Sequence, residues 1–137
     1  MKTLVIFYSY SGHTKAIAAD LAYDEGASFV EIKDKRRPGK LKAYVAGCFA
    51  AMRGKAWPIQ PLDVAMADYD RLIMLAPIWA GNPAPAFNAV LELLPAGKSV
   101  AIKMVSASGE SACKERLEAA VKSKNCTLES FEDIKTR

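Results

Sequence analysis

The stretch Leu4-Val-Ile-Phe-Tyr-Ser-Tyr-Ser-Gly-His-Thr14 decides the reading of this 137-residue chain. An unbroken apolar run, the pattern of a strand buried on both faces, gives way at once to three hydroxyls and a glycine. The segment 15–23 that follows has helical spacing. Such a strand, turn and helix present O–H donors, backbone N–H groups and the positive end of a helix dipole to one small anion. Ser9, Ser11 and Thr14 supply the hydroxyls, and Gly12 lets the backbone turn without a Cβ clash. The spacing is neither the G-x-G-x-x-G of a dinucleotide fold nor the Gly-Lys-Ser/Thr ending of a triphosphate loop, so a single terminal phosphate is the better fit. The plainer alternative is a turn in which Ser11 or Thr14 merely caps the helix.

Around this segment, strand-like runs at 3–8, 28–32, 71–76, 99–106 and 126–131 alternate with helical ones. That alternation predicts one α/β domain over residues 1–137, an open parallel sheet wound with crossover helices. The first and third strands are apolar throughout and belong at its centre. In the second helical segment, Leu41, Tyr44, Val45, Cys48, Phe49 and Met52 keep an i, i+3, i+4, i+7 rhythm and are expected to form a buried face. Phe87, Val90, Leu91 and Leu94 do the same in the third, and Cys113, Leu117, Ala120 and Val121 in the fourth. The loop 54–70 is expected to be tethered by Trp57 and Ile59.

The charge balance, 19 basic against 15 acidic residues, is ordinary. No apolar run reaches the roughly 18 residues of a membrane span, and the N-terminus lacks a cleavable signal pattern, so no membrane partner is expected. Three cysteines without C-x-x-C spacing, and a single histidine, argue for a reducing cytoplasm and against a disulfide framework or a zinc site. Cys48 and Cys113 read as core thiols. The cluster Lys33, Lys35, Arg36, Arg37, Lys40 and Lys42 reads as a solvated loop and helix start. It lacks the aromatic or recognition-helix neighbours that nucleic-acid binding needs.

In an open α/β sheet the ligand sits beyond the carboxyl ends of the strands where strand order reverses, so the loops that follow the strands are the candidates for the site. After strand three comes Ala76-Pro-Ile-Trp-Ala-Gly-Asn-Pro-Ala-Pro85, stiffened by proline. After strand four comes the small, polar Ser106-Ala-Ser-Gly-Glu-Ser111.

These loops resemble those of the flavodoxin family. Ser9-Tyr-Ser-Gly-His-Thr14 is similar to its [S/T]-x-[S/T]-G-x-T phosphate loop, and Pro77-Ile-Trp-Ala-Gly81 to the P-x-W/Y-x-G loop that lies against the isoalloxazine ring. Phe49-Ala-Ala-Met-Arg-Gly54 looks like the short flavodoxin-like branch. The resemblance implies a flavodoxin-like five-stranded parallel sheet of order 2-1-3-4-5 with helices on both faces, its C-terminal fifth helix missing. It implies FMN as cofactor, with Ser9, Tyr10, Ser11, Gly12, His13 and Thr14 at the phosphate. Pro77, Ile78, Trp79, Ala80, Gly81 and Asn82 would meet the ring, joined by Ser106, Ala107, Ser108 and Gly109 at its pyrimidine edge.

The implied activity is electron transfer through the ring, toward redox protein partners or a small-molecule acceptor, in a monomer or homodimer. An NAD(P)H-dependent FMN or quinone reductase, and a non-catalytic flavin-binding or protein-interaction module, are the alternatives. No catalytic side chain and no metal are required. The chain departs from familiar flavodoxins in its net charge of +4 and in having no tyrosine in the third loop. Without a fifth helix, Lys103 on strand four is expected to face water and to pair with Glu129 on strand five. The competing expectation is that this face docks on a second subunit through Val105 and Phe131.

Overall fold

A computed structural model describes residues 1–136. The apolar run at the N-terminus forms strand β1 (Thr3–Phe7), in which Leu4 to Phe7 are fully buried. It is flanked by β2 (Ser28–Glu31) and β3 (Arg71–Trp79), both parallel to it. Beyond β3, and after the two-residue strand β4 (Asn82–Pro83), come β5 (Ser99–Ser106) and β6 (Thr127–Lys135), so the parallel order is β2-β1-β3-β5-β6. β4 pairs only with the end of β3, antiparallel. The expected five-strand order is therefore present, with β4 as an addition.

Helices cover both faces. Helix α1 (His13–Glu25) lays Ala18 and Ala22 against Val5, Phe7, Ile73, Leu75 and Ala101. The opposite face of the sheet, with Leu4, Ile6, Leu72, Met74, Val100 and Ile102, belongs to the larger core. There Phe87, Val90 and Leu91 of α4 (Pro85–Glu92) pack with Leu117 and Val121 of α5 (Lys114–Ser123). The two helical rhythms that predicted these faces are both found buried, apart from the half-buried Ala120.

The second helical segment packs the opposite way from its expectation. It is a composite of α2 (Lys40–Lys42), a π-helical turn (Ala43–Gly47) and α3 (Cys48–Met52). Its buried side is Ala43, Gly47, Ala50 and Ala51, while Leu41 (78% exposed), Tyr44 (77%), Val45, Phe49 and Met52 face solvent. Close approach explains the inversion. A Cβ on Gly47 would lie 2.7 Å from the Trp79 ring, so only the small-residue side can meet the body at this separation. Cys48 is accordingly half-buried, whereas Cys113 is buried.

The last strand brings a second correction. A register shift between Val100 and Ala101 sets Ala101 opposite Ser130 and Lys103 opposite Glu132. Lys103 Nζ therefore meets Glu132 Oε1 at 2.7 Å, and Glu129 instead takes the Arg71 guanidinium at 2.8 and 3.0 Å. Val105 is buried and Phe131 half-buried within the chain itself.

Candidate functional site

The three loops singled out in the sequence gather at the carboxyl ends of β1, β3 and β5. The first is the turn between β1 and α1. Gly12, at φ +103°, occupies the N-cap of α1, and no side chain caps the helix. A non-glycine residue would be strained there, and the leading N–H groups of α1 are left facing outward. Ser9 Oγ accepts the Gly12 N–H at 3.1 Å, and Ser11 Oγ lies 3.0 Å from His13 Nδ1. Thr14 is buried to 2% exposure in the first helical turn. Ser11, Gly12 and His13 are exposed, with Ser9 and Tyr10 half-buried.

The second loop, expected as a proline-stiffened turn, is a tight hairpin. β3 continues three residues past its predicted end, and Trp79 pairs with Asn82 across a two-residue turn. Both turn residues have positive φ, Ala80 at 50° and Gly81 at 82°, the backbone of a type I′ hairpin. An alanine held in the left-handed region carries strain of roughly 1–2 kcal/mol. Asn82 Nδ2 donates to the Ala80 carbonyl at 3.4 Å.

The third loop follows β5. Ser106 Oγ accepts the Gly109 N–H at 3.0 Å, and Ser108 Oγ accepts the Glu110 N–H at 3.2 Å. These side chains shape their own turn, as hydroxyls near backbone do. The loop is tied to the hairpin by the Ala112 N–H, which donates to the Gly81 carbonyl at 2.7 Å.

Aromatic contacts join the first loop to the second. Trp79 receives edge contacts from Tyr8, Tyr10 and Trp57, with centroids 6.1, 5.8 and 6.5 Å away. Its ring is half-buried, so it closes part of the core and still meets solvent. Trp57 and Ile59 do anchor their loop. Trp57 packs on Trp79, and Ile59 bridges to Asp34.

Four residues outside the three loops belong to this neighbourhood. The Arg37 guanidinium lies 4.3 Å from the Tyr10 ring centre and donates to the Tyr10 carbonyl at 2.9 Å, while the Tyr10 hydroxyl donates to the Pro38 carbonyl at 2.8 Å. Part of the basic segment is thus a clamp on the first loop. Tyr8 donates its hydroxyl to the Asp34 carboxylate. Burial pushes the Tyr8 hydroxyl up, reinforced by Asp34, and burial also raises the Asp34 carboxyl. On the other side, Arg116 Nη2 donates to Asn82 Oδ1 at 3.4 Å, and its buried Nε has no partner among the described residues. Burial lowers the Arg116 guanidinium and raises the Cys113 thiol. The sequence reading left Arg37 in a solvated basic cluster, and it gave no site role to Tyr8, Asp34 or Arg116.

Two clefts share Asp34 in their walls, and the smaller of them opens beside the first loop at Ser9. One of about 260 Å³ is lined by Tyr8, Ser9, Glu31, Lys33 and Arg37, and a larger one of about 510 Å³ by Asp34, Lys35, Arg36, Lys42 and Trp57. Both lie toward β2. Neither extends across the hairpin tip.

Strand order, crossover helices and a loop cluster at the β1/β3 reversal together define a flavodoxin-like fold. Solved structures bear this out. The chain is similar to a flavoprotein from Lactobacillus acidophilus crystallised in complex with FMN, at 21% identity over 95% of this chain and 91% of that one, with a TM-score of 0.75. A candidate flavoprotein from Bacteroides eggerthii gives 0.80 at 19% identity over 96% and 86%. Oxidised flavodoxin 2 from Bacillus cereus gives 0.59 at 19% identity over 98% and 84%. No protein-family model and no curated protein matches the chain.

Proposed function

We propose that the protein binds FMN and transfers electrons through its isoalloxazine ring. The observation that carries this reading is the uncapped N-terminus of α1, framed by Ser9, Ser11 and Thr14 and turned outward by Gly12 at φ +103°. The fit to a terminal phosphate is good. Leading helix N–H groups need an acceptor, a Cβ at Gly12 would meet open space, and no carboxylate caps the turn. Ser9, Ser11, Gly12, His13 and Thr14 would hold the phosphate, with Tyr10 fixing the loop through Arg37. Trp79 and the backbone of Ala80, Gly81 and Asn82 would meet the ring, and Ser106 to Gly109 its pyrimidine edge. Neighbours of the same fold include a protein solved with FMN, which supports the choice of cofactor.

When bound, the flavin supplies the redox chemistry, and the residues named above bind and orient it. Absorbance titration tests the reading: addition of FMN to the protein should shift and structure the flavin bands with saturation at one equivalent. Unchanged flavin spectra would refute it. Steady-state NAD(P)H oxidation by the loaded protein separates a carrier, which turns over slowly without a partner, from a reductase.

A further inference from the structure

We propose that the solvent face of the Lys40–Met52 helical segment is a docking surface for an anionic lipid membrane. Leu41, Tyr44, Val45, Phe49 and Met52 are 52% to 78% exposed, on one side of one continuous segment. Thirteen residues at about 1.5 Å each make a ridge roughly 20 Å long. Single exposed apolar residues are ordinary, but a row of this length marks a surface that meets something apolar.

Charge identifies the occupant. Residues 33–55 contain eight Lys and Arg against one acidic residue, Asp34, a net of +7 within a chain of net +4. The other residues carry 11 basic and 14 acidic side chains, a net of −3, so the positive excess lies within this segment and the loop before it, with Lys40, Lys42, Arg53 and Lys55 at the ends of the ridge. The cations stand at its two ends and along the preceding loop, and the middle is uncharged. Arg53 lies 5.5 Å from the Phe49 ring centre and Lys42 5.7 Å from that of Trp57, so the long cationic stems flank aromatic surface. Apolar side chains with flanking Lys and Arg are the pattern of a helix that lies in a bilayer interface, its stems reaching the head groups.

A second copy fits less well, because it would oppose two +7 segments across the contact. A bilayer also asks for no shaped complement, and the large apolar side chains are left outward because the small side, Gly47 and Ala51, is the one pressed into the body. No described helix is long and apolar enough to cross a membrane, so the contact is at the surface. The proposal departs from the expectation of no membrane partner, which rested on the absence of a span.

Co-sedimentation of the full chain with lipid vesicles tests it. Vesicles of phosphatidylcholine with phosphatidylglycerol should retain the protein at least about ten-fold better than phosphatidylcholine alone, and added salt should weaken retention. Lys42→Ala and Phe49→Ala should each weaken it about five-fold with the melting midpoint unchanged, while Lys122→Ala leaves it unaltered. Three results overturn the proposal. They are no retention on phosphatidylglycerol vesicles at low salt, equal retention on both vesicle types, or indifference to vesicles with a concentration-dependent dimer that Phe49→Ala dissociates.

Discussion

Gly47 lies so close to Trp79 that a Cβ built on it would sit 2.7 Å from the indole Cζ3. This approach turns the small side of the second helical segment inward and its large apolar side outward. It also backs Trp79 with main chain, fixing the hairpin that ends in Ala80 and Gly81.

Gly47→Ala should therefore cost about 1–3 kcal/mol, the range for forcing extra atoms into a packed site. Denaturant unfolding measures this, and a tryptophan fluorescence shift should accompany it as Trp79 moves. An alanine variant as stable as the parent would show that the indole gives way freely.

Arg37→Ala removes both the guanidinium over Tyr10 and the bond to the Tyr10 carbonyl. At an exposed site that is worth on the order of 1 kcal/mol, so FMN affinity should fall about five-fold with little change in melting. Arg37→Lys keeps the charge and loses the planar stack, and should restore only part of the affinity. Full recovery by lysine would assign the effect to charge alone.

The Arg71 guanidinium holds the Glu129 carboxyl below the usual carboxylate range, with Ser99 adding a further hydrogen bond. A carboxyl depressed in the folded state contributes stability above its unfolded pKa and loses it as pH falls through the folded value. Glu129→Gln should thus cost up to about 1 kcal/mol at neutral pH, and the difference should close as pH drops below about 4. Melting midpoints of both proteins across that window check it; a gap independent of pH would mean that packing, and not charge, is what the substitution removes.

The parallel sheet was legible because β1 and β3 are apolar on both faces and the amphipathic patterns of α4 and α5 repeat cleanly. The three loops were legible because hydroxyls, glycine and proline fall at strand ends. Three features escaped for physical reasons. In residues 40–52 a helical rhythm identifies an apolar face without saying whether it turns inward, and here the contact with Trp79 selects the small residues instead. In β6 the register shift beside Val100 is invisible to simple alternation, so Lys103 meets Glu132 and Glu129 goes to Arg71. The hairpin at Ala80 was hidden because alanine rarely takes a positive φ.

The most direct test of phosphate capture at the β1–α1 turn is calorimetric titration of the protein with FMN and, separately, with riboflavin. Charge-assisted hydrogen bonds contribute roughly 1.5–3 kcal/mol each, so FMN should bind orders of magnitude more tightly, and Thr14→Ala or Ser11→Ala should weaken FMN far more than riboflavin. Equal affinities for the two ligands, or variants that weaken both alike, would contradict the assignment.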